Sequence, residues 1–169
     1  MKQNSTNSIP KVSIALVLYD HMLATSVSLP VEMLRAGEAA GIRENPNAPR
    51  LSIQMVAEQR KPVATRALIR LLPDVDVDNA QDPDFVVIPS LWRNPRPLLR
   101  KHPKLIQWLK SQWQTGSTLI GGGTGVCFMA EAGVLDGRPA TTHWHYVAQF
   151  QRDYPNICLL YTSPSPRDS

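Results

Sequence analysis

Lys11 to Leu18 (KVSIALVL) is a nearly unbroken aliphatic run about one strand long. An alternating strand keeps one face wet, whereas a continuous run suits a strand of a parallel sheet, dry on both faces. After a polar Tyr19-Asp20-His21 loop, Leu29, Met33 and Leu34 recur at helical spacing with the alanines at 36, 39 and 40. Pro30 is expected in the first turn of this helix, where its missing N–H is tolerated, and Gly41 is expected as the C-cap. Arg50 to Ala57 (RLSIQMVA) returns to a strand pattern, and Phe85 to Pro89 (FVVIP) is a further short strand introduced by Asp82-Pro83-Asp84. Between them, Val63 to Asp78 alternates loosely, the pattern of an edge hairpin. Pro95, Pro97 and Pro103 break the chain around Trp92 to His102, after which Leu105, Trp108, Leu109 and Trp113 repeat at helical spacing up to Gly116. These tryptophans are expected to pack in the fold rather than stack on nucleic-acid bases.

The chain then runs through Thr118-Leu119-Ile120 into the cluster Gly121-Gly122-Gly123-Thr124-Gly125, followed by the apolar stretch Val126 to Ala130. This reads as strand, sharp turn and helix, the device by which an open α/β sheet builds a site at the carboxyl end of a strand. The order β-α-β, hairpin, β-α-β-α predicts an α/β fold with a mostly parallel open sheet flanked by helices, because right-handed crossovers leave few other arrangements.

With 169 residues, 43% of them hydrophobic and 19% charged, the chain suits one globular domain with a sizeable core. The net charge of +4 is spread among acids without a long basic run, so no nucleic-acid surface is indicated. Cys127 and Cys158 lie far apart, and neither a signal peptide nor a long apolar span is present, which points to a reduced, cytoplasmic protein without a disulfide framework. Residues 1–10 are expected to form a frayed polar leader. Cys158 to Ser169 (CLLYTSPSPRDS) departs abruptly from the pattern before it. Its first eleven residues match, codon for codon, a translation of the common transposase sequencing adapter, so the native sequence is read only to about Ile157 and the fold is expected to be incomplete at its C-terminus.

The glycine cluster matches neither a phosphate loop nor a dinucleotide fingerprint, since no Gly-Lys-Ser/Thr follows and no third glycine falls at the needed spacing. Its small residues at a helix start are expected to leave backbone N–H groups open to a ligand. Asp74, Asp76 and Asp78 lack the glycine and distal glutamate of a calcium loop. His143 and His145, two apart, have no further ligand at metal spacing, so no metal and no cofactor is expected. Thr142 is expected to cap a helix running from His143 to Tyr154, with His143 near its positive start as a neutral hydrogen-bonding side chain. Cys127, within the apolar helix, reads either as a small buried residue or as a reactive thiol.

The run from Gly123 to Trp144, with Phe150 and Tyr154-Pro155, resembles the sensory domain of GlxA-type regulators of the AraC family. The resemblance covers roughly residues 11–157 and implies a flavodoxin-like, class I glutamine amidotransferase-like (PfpI-like) domain followed by a DNA-binding domain with two helix-turn-helix units. In the enzymatic relatives a cysteine occupies the strand-to-helix turn, and counting back from His143 places that position at Gly123. The acid expected after the first strand falls near Ser26, so two of three catalytic parts are absent while His143 is retained.

These readings give a catalytically inactive sensory domain of a transcriptional regulator. Its ligand, a small nitrogenous or carboxylate metabolite, is expected at Gly123, Thr124, Gly125, Val126 and His143. The resemblance further implies a homodimer and DNA contact only through a missing C-terminal domain, and the lack of a long apolar span argues against membrane attachment. The competing reading is a small amidase or hydrolase using Cys127 with His143, and a weaker one is a stand-alone interaction module.

Overall fold

The computed structural model describes residues 9–92 and 94–160. The aliphatic run Lys11–Leu18 is β1, followed by α1 (Thr25–Glu44), β2 (Arg50–Ala57), a hairpin of β3 (Val63–Ala64) and β4 (Arg70–Leu71), and the short β5 (Val75–Asp76). Next come β6 (Phe85–Ile88), α2 (Arg96–Leu99), α3 (Pro103–Thr115) and β7 (Thr118–Gly121), then a 3-10 turn over Gly123–Gly125 that leads into α4 (Val126–Glu131). After β8 (Pro139–Ala140), a 3-10 turn at Trp144–Tyr146 precedes α5 (Val147–Asp153), and β9 (Cys158–Leu159) pairs with β8.

The main sheet has five strands in the order β5-β2-β1-β6-β7, all parallel. The α/β expectation is met, for the reason read from the sequence: Leu16 and Val17 of β1 point to opposite faces and both are fully buried. The crossover from β1 leads to β2 and that from β6 leads to β7, in opposite directions. The carboxyl ends of β1 and β6 therefore flank the switch point, where open α/β sheets leave a crevice.

Three local expectations are corrected. Helix α1 starts at Thr25, so Pro30 is its sixth residue and withholds the N–H that the Ser26 carbonyl would accept, and the helix runs past Gly41 to Glu44. No capping side chain marks that start, since Ala24 precedes it. The Val63 to Asp78 stretch forms its hairpin, β3 and β4, as a separate two-stranded sheet, while its last residues supply β5, one edge of the main sheet. Among the tryptophans, Trp108 is buried on α3, but Trp92 is 63% and Trp144 76% exposed. Helix α3 behaves as read, ending on Gly116 in the left-handed conformation.

Two carboxylates tie neighbouring elements at the amino end of the sheet. Glu38 of α1 accepts from the Leu51 N–H of β2 at 2.6 Å, and Asp84 accepts from both the amide and the hydroxyl of Ser13 at 2.7 Å. Those bonds, the Ser13 hydroxyl first, hold the Asp84 carboxyl below its usual range. A carboxyl depressed in the fold stabilises it above the unfolded value of about 3.9 and loses that contribution as pH falls through the lower folded value. Ser13→Ala is therefore expected to move the midpoint of acid unfolding, followed by circular dichroism, to higher pH.

Candidate functional site

Three loops at the carboxyl ends of β1, β6 and β7 are stitched together by hydrogen bonds. Leu23, after β1, donates its N–H to the Ser90 carbonyl at 2.9 Å, and Met22 forms an isolated antiparallel bridge with Leu91. Thr124, 2% exposed, joins the β7 turn to the same segment. Its hydroxyl accepts from the Leu91 N–H at 2.9 Å and donates to the Leu91 carbonyl at 2.9 Å. That leaves Ser90 Oγ, 3.1 Å away, to donate to Thr124 Oγ1 while accepting from the Thr124 N–H at 3.4 Å. Beneath the loops Tyr19, 1% exposed, donates its hydroxyl to the Pro89 carbonyl and packs its ring 4.6 Å from that of Phe128. Burial raises the Tyr19 phenol above its ordinary value, so it stays a neutral donor.

The chain turns sharply from β7 into the helix at a position, Gly123, that carries no side chain. Gly123 has φ +48°, a conformation that penalises side chains, and a Cβ built there would lie 2.8 Å from Ser90 Oγ. The Ser90 hydroxyl thus occupies the space that a side chain at position 123 would enter. The amides around it are engaged within the turn: Gly122 N–H donates to the Ile88 carbonyl at 3.0 Å, Gly125 N–H to the Gly122 carbonyl at 2.7 Å, and Thr124 N–H to Ser90 Oγ. With its proton committed to Thr124, Ser90 Oγ offers a ligand acceptor capacity rather than a donor.

Of the five residues expected at the site, Thr124 and His143 share one cavity of about 380 Å³. Gly125 and Val126 are buried against the sheet, and Gly123 is exposed next to the cavity without lining it. Leu23, Ser90, Leu91, His145 and the aromatic rings of Trp92, Trp144 and Tyr146 complete the walls, none of them among the residues expected at the site. The Pro89-Ser90 step at the end of a buried strand was the available signal; its meaning required the adjacency of β1 and β6.

His143 stands at the cap of the Trp144–Tyr146 turn rather than inside a helix. Its Nδ1 accepts from the His145 N–H at 3.3 Å, which places the proton of the neutral ring on Nε2 as a free donor. The expected cap, Thr142, does not serve: its hydroxyl is buried without a partner among the described residues. His143 itself is the capping residue, and regular helix begins only at Val147.

Cys127 lies one turn into the helix region and is 3% exposed among Val126, Phe128 and Ala130. Burial, and then the nearby Glu131 carboxylate, push its thiol up to about 12, leaving almost no thiolate at neutral pH. The half-time for alkylation of Cys127 at pH 7.5 in the folded chain is expected to exceed that of the exposed Cys158 by at least about a hundredfold. Peptide mapping after timed iodoacetamide exposure checks this.

Residues 12–156 match the DJ-1/PfpI family. The chain is 43% identical over 74 residues to the HTH-type transcriptional regulator CdhR of Pseudomonas aeruginosa, covering 42% of this chain and 22% of that protein. It is 29% identical over 147 residues to the HTH-type transcriptional regulator GbdR of the same species, covering 87% of this chain and 38% of that protein. It thus spans well under half the length of both regulators. Among solved structures, an AraC family transcriptional regulator from Pseudomonas putida superposes with a TM-score of 0.71 at 19% identity, over 90% of this chain and 77% of that one.

Proposed function

This chain belongs to the DJ-1/PfpI family, and from that membership we propose that it is the catalytically inactive sensory domain of a cytoplasmic transcriptional regulator. It binds a small metabolite in the cavity between Thr124 and His143. The observation that carries this reading is the occupied turn: glycine stands where a nucleophile would, and the Ser90 hydroxyl fills the space beside it. A cavity of about 380 Å³ is within the range of small-molecule sites. Its chemistry is divided. The Nε2–H of His143 suits a carboxylate or amide oxygen, while the remaining lone pair of Ser90 Oγ and the faces of Trp92, Trp144 and Tyr146 suit a cationic or otherwise nitrogenous group. Similarity to two HTH-type transcriptional regulators, each much longer than this chain, supports a DNA-binding domain beyond it. The homodimer rests only on the resemblance to AraC-family regulators. No helix among the described residues is long and apolar enough to cross a membrane.

An enzyme attacking through Cys127 would need an exposed, low-pKa thiol, and burial gives this residue neither property. The isolated chain is expected to show no sequence-dependent shift of promoter DNA at micromolar concentration, whereas the full regulator retards its own operator. Sequence-dependent retardation by this chain alone would refute the assignment of DNA binding to another domain.

A further inference from the structure

A separate cavity of about 350 Å³ lies at the carboxyl ends of β1 and β2 and shares no lining residue with the cavity of Thr124 and His143. Its floor is apolar and reaches the core, since Leu18, Tyr19, Ala57 and Val63 are at most 8% exposed. Its walls are charged. Asp20 and Glu58 follow the two strands, Lys61 comes from the loop between β2 and β3, and Lys101 and His102 come from the turn between α2 and α3. The acids are already engaged by the protein. Asp20 Oδ1 accepts from the Ala64 N–H at 3.0 Å, while Glu58 Oε2 accepts from the Leu105 N–H at 3.3 Å and lies 3.4 Å from Nδ1 of His102. The Glu58 and His102 side chains are only 14% and 17% exposed, and the imidazole sits 6.5 Å from the Tyr19 ring, so His102 is a fixed wall rather than a swinging side chain. The two lysines are not engaged: among the described residues, neither ammonium has a carboxylate within ion-pair distance.

We propose that this cavity is a second binding site, for a small organic anion whose carboxylate or phosphate group meets Lys61 and Lys101 and whose carbon skeleton lies on the floor beside Tyr19 and Val63. What the walls leave for a ligand is positive charge over an apolar base, because both carboxylates are committed and both ammonium groups are not. A lysine ammonium is a compact point charge that suits either acid group. The volume is within the range of small-molecule sites, and the carboxyl ends of parallel strands are where open α/β sheets hold their ligands. A bare inorganic ion would leave most of that volume and the apolar floor uncovered, so the anion carries an organic part. The inference rests on this cavity and its charges alone, so it stands or falls independently of the Thr124 and His143 site.

Calorimetric titration of this chain with phenyl phosphate and with benzoate, at constant ionic strength, tests the proposal. At least one of the two is expected to bind with saturation and at least about tenfold more tightly than inorganic phosphate. Binding of phenyl phosphate alone would make the ligand class phosphate esters, binding of benzoate alone would make it carboxylates, and binding of both would mean that charge alone is read. Lys61→Gln and Lys101→Gln should each weaken that binding at least about fivefold, whereas Lys110→Gln, at an exposed position of α3 outside the cavity, removes the same charge and should change it less than about twofold. In the unsubstituted chain the bound probe should also slow acetylation of Lys61 and Lys101 by acetic anhydride, and not that of Lys110, as read by peptide mapping. Saturable binding of neither probe below about 10 mM would overturn the proposal. Binding that the two cavity substitutions leave untouched, or that all three substitutions weaken equally, would overturn it as well, the first by placing the probe elsewhere and the second by reducing the effect to net charge.

Discussion

Gly125→Ala is expected to destabilise the domain by about 3–4 kcal/mol, a large share of the stability of a marginally stable chain. A Cβ at this position would lie 2.5 Å from the Ile88 carbonyl oxygen and 2.6 Å from that of Pro89. Both are backbone atoms at the end of β6 and cannot rotate aside. Moving them loosens the bonds they accept from the Gly122 N–H and the Tyr19 hydroxyl, so the steric cost is compounded by two weakened hydrogen bonds. Gly37→Ala is the control, because a Cβ there meets nothing within 4 Å and lies within α1, where alanine stabilises a helix by about 0.5–1 kcal/mol. Urea midpoints of the two variants should therefore move in opposite directions.

The second large effect is expected from Thr124→Val, which keeps the volume and removes the hydroxyl. The loss leaves the buried Leu91 N–H and carbonyl and the Ser90 hydroxyl without their partner. At about 1–3 kcal/mol for each fully buried orphan, a loss of about 3 kcal/mol follows, or a fall of roughly 6–12 °C in Tm for a domain of this size. Thr124→Ser should recover most of that loss, since it restores the hydroxyl and forfeits only a methyl group. A valine variant as stable as the parent would mean that the three loops are held by packing alone.

Composition announced β1, which is buried on both faces, and the short apolar β6, whose Val86 and Ile88 are buried on one face; both could be read directly because strands of a parallel sheet need no polar alternation. Helix α3 was equally plain, its apolar positions closing on a left-handed Gly116. The start of α1 was not, because Ala24 carries no capping side chain and Pro30 sits where a proline would ordinarily mark a first turn. At the site, Thr124 and His143 were found through the family pattern, and the structure brings both to one cavity. Ser90 and Leu91 were invisible beforehand. Their role depends on β6 lying between β1 and β7, an adjacency of strands far apart in the chain that no local spacing records.

The measurement that tests the central reading most directly is a fluorescence titration of this chain with small zwitterionic and amide metabolites, using Trp92 and Trp144 at the cavity wall as the reporters. A saturable change is expected for at least one carboxylated, nitrogen-bearing compound, with the compound recovered chemically unchanged and the affinity reduced at least tenfold by His143→Ala. Conversion of the compound by the chain, or a saturable response that His143→Ala leaves untouched, would contradict a non-catalytic sensory site between Thr124 and His143.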